Sequence, residues 1–182
     1  ELAGATLGIV GLGQIGKRVA RMARAVGMRV LAHDPYVKPG APGTKGIELA
    51  GLDELLAGSD FVSIHVPDTS ATAGMIGKQQ LSLLKPAAYL VNVTSAAVVD
   101  QQALASALTE GRLAGAALDV YESHPIAPDS PFLGVANVIL TPHIAAASPH
   151  IAERHLATFL ENVRRYVAGE ELATVVDKAR WF

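Results

Sequence analysis

Cysteine is absent from the 182-residue chain, which excludes a disulfide scaffold, a thiolate zinc site and a cysteine nucleophile. Aromatic residues make up only 5%, so the core must come from Ala, Val, Leu and Ile, which suits tight packing of helices on a sheet. Neither sign of charge dominates. With 15 Lys and Arg against 17 Asp and Glu, and a pI near 6.3, nothing favours nucleic acid as a partner. No apolar run approaches the roughly 20 residues needed to span a bilayer, so no membrane insertion is expected. The opening Glu1-Leu2-Ala3-Gly4 has neither Met nor a secretory leader. The expectation is a processed or excised piece of a longer protein, located in the cytoplasm.

What is present is half apolar and 18% charged, enough for one domain with a real core. Leu7 to Leu12 is a continuous apolar run, as in a strand buried on both faces. Ile15, Val19, Met22, Ala23 and Val26 then recur at helical spacing, and Gly27 sits where a helix stops. Further strands are expected at Arg29 to His33, Phe61 to Val66, Ala88 to Val93, Leu113 to Val120 and Asn137 to Leu140. Helices are expected at Leu52 to Ala57, at Gln79 to Leu84, from an Asp100 cap to about Thr109, and from Pro149 to Ala168. Residues 35 to 46 hold three prolines and three glycines and read as loop. Strands alternating with helices on short connections predict an α/β fold, a doubly wound parallel sheet of Rossmann type. The expected division is a nucleotide-binding domain over residues 1–148 and a long helix with its tail over 149–182.

Gly11-Leu12-Gly13-Gln14-Ile15-Gly16 is a G-x-G-x-x-G between that first strand and the first helix. In this context Gly11 permits the tight turn, Gly13 lets backbone approach a pyrophosphate, and Gly16 lets helix pack closely on strand. The helix start offers free N–H groups and partial positive charge to the anion. Asp34 follows Gly16 by 18 residues, at the end of the second strand. A carboxylate there accepts the adenine ribose hydroxyls and repels a 2′-phosphate, which predicts NAD rather than NADP. If the glycines served only a turn and Asp34 only a cap, three agreeing features would be coincidence.

With these blocks the chain resembles the NAD-binding domain of the D-isomer-specific 2-hydroxyacid dehydrogenases. The likeness also rests on His33-Asp34-Pro35-Tyr36, His65-Val66-Pro67 with Thr72, Lys85-Pro86, Asn92 with Val99-Asp100, Leu118-Asp119-Val120-Tyr121-Glu122 and Thr141-Pro142-His143-Ile144. The resemblance implies a Rossmann-type sheet and an NAD site to which Gln14, Ile15, Asp34, Val66, Pro67, Thr72, Val93, Thr94, Ser95, Asp119, His143 and Ala145 contribute. It implies hydride exchange between NAD(H) and a small 2-hydroxy or 2-oxo acid, with His143 as the acid/base. A separate substrate domain, built mostly from residues before the nucleotide domain, belongs to the family. The stripe Ala152, Leu156, Phe159, Val163 and Val167 on the last helix then seeks cover, in a homodimer or on its own sheet.

Two positions depart from the family pattern. Ser95 stands where an Arg is expected, and His124, before Pro125, stands where a Glu is expected. The Arg would clamp a substrate carboxylate with two charge-assisted hydrogen bonds, and a short neutral hydroxyl cannot. The Glu would orient the catalytic imidazole, and His124 brings no negative charge to do so. The main expectation is therefore an NAD-dependent dehydrogenase domain with an intact nucleotide site. Two alternatives stay open: a non-catalytic NAD-binding or regulatory module, and a dehydrogenase whose substrate has no carboxylate.

Overall fold

Every residue of β1 (Thr6–Val10) is buried, the expected state of an unbroken apolar run lying inside a sheet. The computed structural model describes residues 1–178; Trp181 lies outside the described residues. After β1 come α1 (Gln14–Ala25), β2 (Arg29–His33), β3 (Glu48–Leu49), α2 (Leu52–Gly58), β4 (Phe61–Ile64), α3 (Lys78–Leu83) and β5 (Tyr89–Asn92). A single 3₁₀ turn (Ala96–Val98) leads to α4 (Gln101–Thr109), β6 (Gly115–Leu118), β7 (Val138–Leu140) and α5 (Ile151–Ala168). The strands form one sheet in the order β3-β2-β1-β4-β5-β6-β7, and every pairing is parallel.

Alternate residues of the central strands feed two separate cores. Leu7 and Ile9 of β1, with Val30 and Ala32 of β2, pack with Ala20 and Ala23 of α1. Val10 and Leu31 point the other way, into a larger core with Leu55, Leu56, Ile64, Leu90, Leu104 and Phe132. Successive side chains leave a strand on opposite faces, so two cores mean helices on both sides of the sheet. The Rossmann-type reading holds.

Segment ends differ from the expectations for local reasons. β1 stops at Val10 because Gly11 turns the chain at φ +96°. β4 stops at Ile64 rather than Val66, since Ile64 is the last residue with a partner on β1. β6 is confined to Gly115–Leu118 by the four-residue β5 beside it. β3 has two residues, too few for a periodic signal, and pairs with β2 on the sheet edge. The expected Asp100 cap is present, its carboxylate accepting the Ala103 N–H at 2.9 Å. Lys85 pins the start of β4: its ammonium donates to Asp60 (2.8 Å) and to the Gly58 carbonyl (3.0 Å). That pairing, with the Thr6 N–H, holds the Asp60 carboxyl below its ordinary range.

The chain divides into two compact units, Glu1–His143 and a second from Ile144 onward. The first contains the whole sheet. The second contains α5, closed by Gly169 as expected, with no buried residue. On one side of α5 Glu161 accepts from both Arg164 and Arg165, which lowers its carboxyl to about 2. Leu156, Phe159, Val163 and Val167 are all exposed, so the apolar stripe is uncovered.

Candidate functional site

The chain crosses from β1 to β2 on one side and returns to place β4 on the other, so the sheet order reverses next to β1. At such a switch point the loops beyond the strand ends part and leave a crevice, the general ligand site of open parallel sheets. The loops after β1, β2, β4, β5, β6 and β7 all leave the same edge, because all the strands are parallel. Those six loops, with the start of α1, hold the candidate site residues expected from the sequence; of these, Ala145 alone falls in the second unit.

The turn after β1 is built for close approach. A Cβ at Gly16 would collide with the Gly11 carbonyl, so helix and turn touch only because position 16 has no side chain. Gly13 is the opposite case: a Cβ there would meet nothing within 4 Å. Gly13 caps α1 without any side-chain hydrogen bond, and the first turn carries no acidic residue. The helix start thus keeps its N–H groups and positive end free for an anion. Gln14 and Ile15 are exposed beside it, Ile15 at 62%. This arrangement fits the pyrophosphate of a dinucleotide.

Asp34 is locked against that turn. One carboxylate oxygen accepts the Leu12 N–H at 2.8 Å and the other the Tyr36 N–H at 2.9 Å. Each oxygen keeps a lone pair for a further donor. Behind the turn, His65 follows β4 with its Nε2 2.9 Å from the Ser63 hydroxyl and a buried Nδ1 that has no hydrogen-bond partner among the described residues. Burial lowers its pKa from the usual 6.5, so the folded state resists the proton that the unfolded chain accepts. The unfolded chain therefore binds more protons as pH falls below about 6.5, and stability declines there. Thermal midpoints measured against pH should fall more steeply for the natural protein than for His65→Gln; parallel curves would refute this.

Val66, Pro67 and Thr72 lie in the loop after β4. The Thr72 hydroxyl donates to the Pro67 carbonyl at 2.6 Å and accepts the Thr69 N–H at 2.9 Å, which closes the loop on itself. Val66 is half-buried against the larger core. In the adjoining loop after β5, Asn92 is the anchor. Its Nδ2 donates to the Ser95 carbonyl at 2.8 Å, and its Oδ1 accepts the Thr94 N–H at 3.1 Å. Val93 and Thr94 are half-buried there, and Ser95 starts the 3₁₀ turn.

The loops after β6 and β7 meet. Asp119 is buried at 2% exposure and accepts from the Thr141 hydroxyl. The buried Tyr121 hydroxyl lies 2.9 Å from the Leu118 carbonyl and 2.8 Å from that of Thr141, and donates between them. Burial, with the Asp119 charge nearby, raises the Tyr121 hydroxyl pKa, so it remains a donor. These bonds fix the backbone leading to His143, which is exposed and adopts φ +56°, a left-handed conformation uncommon for a side-chain-bearing residue. The His124 ring sits beside it, with 4.7 Å between ring centroids, and Tyr121 lies 5.9 Å beyond His124.

Two residues of this edge carried no assignment from the sequence. Tyr121 was legible only as part of a motif, because its two carbonyl partners are set by tertiary structure. Asp68 lies just beyond the expected strand Phe61 to Val66, and it accepts the Ser95 hydroxyl at 2.9 Å. A cavity of about 700 Å³ lined by residues such as Pro39, Thr44 and Leu49 contains none of the expected site residues. Among the described residues no cluster of three or more His, Asp or Glu could hold a metal ion.

A model of the D-isomer specific 2-hydroxyacid dehydrogenase NAD binding domain matches residues 1–145. The chain is 47% identical over 170 residues to a glyoxylate reductase of Korarchaeum cryptofilum, covering 93% of this chain and 51% of that protein. It is 43% identical over 177 residues to a D-3-phosphoglycerate dehydrogenase of Mycobacterium tuberculosis H37Rv, covering 97% of this chain and 33% of that one. Its fold is similar to a solved D-isomer specific 2-hydroxyacid dehydrogenase from Xanthobacter autotrophicus Py2 in complex with NADPH and MES. The TM-score is 0.88 at 33% identity, over 98% of this chain and 73% of the other. The chain thus spans about half the length of the glyoxylate reductase and a third of the phosphoglycerate dehydrogenase. A Rossmann-type sheet, a bare helix start and a match over most of its length agree: the chain belongs to the D-isomer specific 2-hydroxyacid dehydrogenase family, as an oxidoreductase-type NAD-binding domain.

Proposed function

We propose that this chain is the nucleotide-binding part of an NAD-dependent dehydrogenase acting on a small 2-hydroxy or 2-oxo compound, with His143 as its acid/base. The observation that carries the cofactor reading is the uncapped start of α1 behind Gly13, with the Asp34 carboxylate fastened beside it. Gly13, Gln14 and Ile15 would hold the pyrophosphate, with Gly11 and Gly16 shaping the turn. The free lone pairs of Asp34 would take the ribose hydroxyls. Val66, Pro67 and Thr72 would line the adenosine side, and Val93, Thr94 and Asp119 the nicotinamide side. Bound there, the nicotinamide supplies or accepts the hydride. His143 gives a proton to the carbonyl oxygen or takes one from the hydroxyl, its loop held by Tyr121 and by the Asp119–Thr141 bond.

The Xanthobacter relative holds NADPH, so the fold alone leaves the choice of cofactor to local charge. Asp34 supports NAD, because a 2′-phosphate would face a carboxylate already fixed by two N–H groups. Titration followed by nicotinamide fluorescence should show NADH binding at least tenfold tighter than NADPH, about 1.4 kcal/mol or more. Equal affinities would remove Asp34 from this role. The uncharged Ser95 favours the reading in which the substrate lacks a carboxylate, and NADH binding without turnover of any 2-oxo compound would favour a regulatory module instead. The uncovered α5 stripe supports a homodimer.

A further inference from the structure

The Ser95–Asp68 bond reverses what the substrate end of the site asks of a ligand. A serine hydroxyl has one proton and two lone pairs. Here the proton goes to Asp68 Oδ2 at 2.9 Å, and one lone pair takes the Ala97 N–H at 3.2 Å. No side-chain donor is left at position 95. Asp68, exposed in the loop after β4 and bonded only to Ser95 among the described residues, offers further acceptor capacity and a negative charge. The loops that bear them follow adjacent strands, β4 and β5, on the edge that also carries His143. The two side chains therefore present only acceptors, held in place because Asn92 fixes the Ser95 carbonyl. A carboxylate would find no side-chain donor in this pair and a like charge facing it; a hydroxyl or an ammonium would find two waiting oxygens.

We propose that Asp68 and Ser95 together select a carbonyl compound whose neighbouring carbon carries a hydrogen-bond donor, a hydroxyl or an ammonium, in place of a carboxylate. This rests on the dehydrogenase reading above and names the substrate class of the same site. Asp68 is the specificity-determining residue and Ser95 its fixed partner.

The probes are three ketones that differ at one group: pyruvate, hydroxyacetone and aminoacetone. Each is titrated, by ligand-observed NMR, onto the protein at its natural length and saturated with NAD+, a complex in which no ketone can be reduced. At least one of the two donor-bearing ketones should bind ten times more tightly than pyruvate, and the tighter of the two identifies the group. Asp68→Asn should bring the ratio for aminoacetone to threefold or less while leaving NAD+ affinity unchanged. The steady-state preference in kcat/KM with NADH should follow the same order. Pyruvate binding as tightly as both others, or no ketone binding to the NAD+ complex, overturns the assignment of Asp68. Failure of NAD+ itself to bind overturns the dehydrogenase reading and this one with it, and is seen separately in the first titration.

Discussion

Gly13→Asp should weaken NADH binding at least a hundredfold while the thermal midpoint stays level or rises. The backbone at Gly13, φ −75° and ψ −156°, is open to any residue, and a Cβ there strikes nothing. An aspartate at that position is a good helix cap, and its charge suits the positive helix end. Together these effects stabilise by a few tenths to about 1 kcal/mol. The same carboxylate would stand where a pyrophosphate must lie, and two like charges about 4 Å apart repel by about 4 kcal/mol at an effective dielectric of 20. Stability and binding thus move in opposite directions from one substitution, which a general disturbance of the fold would not produce. Nicotinamide fluorescence and thermal denaturation read the two effects separately. Undiminished NADH affinity would place the dinucleotide elsewhere.

His143→Asn should lower the rate of hydride transfer by about two to four orders of magnitude, the usual contribution of a positioned acid/base. Asparagine is the control of choice because it tolerates the left-handed backbone that His143 adopts at φ +56°, where alanine would add strain to the chemical loss. Binding of NADH should change far less than the rate, since the turn after β1 and Asp34 do not depend on the side chain at 143. Single-turnover oxidation of prebound NADH by a substrate ketone isolates the step. A loss under threefold would take proton transfer away from His143 and leave the His124–His143 pair a structural contact.

The order of elements other than β3, the glycine turn and the cap at Asp100 were legible because each is written in neighbouring residues. An apolar run, a helical period and an N-cap need no distant partner to declare themselves. The strand ends were legible only approximately. β4 ends where its residue pairing with β1 runs out, and the apolar Val66 continues the run past that point. The site was legible where position along a motif implies position in space, as for Gly13 and Asp34. Ser95 and His124 stood out as departures, but their new partners did not. Asp68 lies 27 residues from Ser95 in the chain, and only the pairing of β4 with β5 brings them together. The role of Tyr121 was hidden in the same way, since its hydroxyl reaches a carbonyl 20 residues on.

Asn92 holds the loop after β5 through the carbonyl of residue 95 and the N–H and hydroxyl of Thr94. None of these bonds involves the side chain at 95. That position behaves as a socket, its orientation fixed by a neighbour and its contents free to vary. A lineage can exchange what is plugged in there, altering which molecules are accepted, without rebuilding the strand beneath.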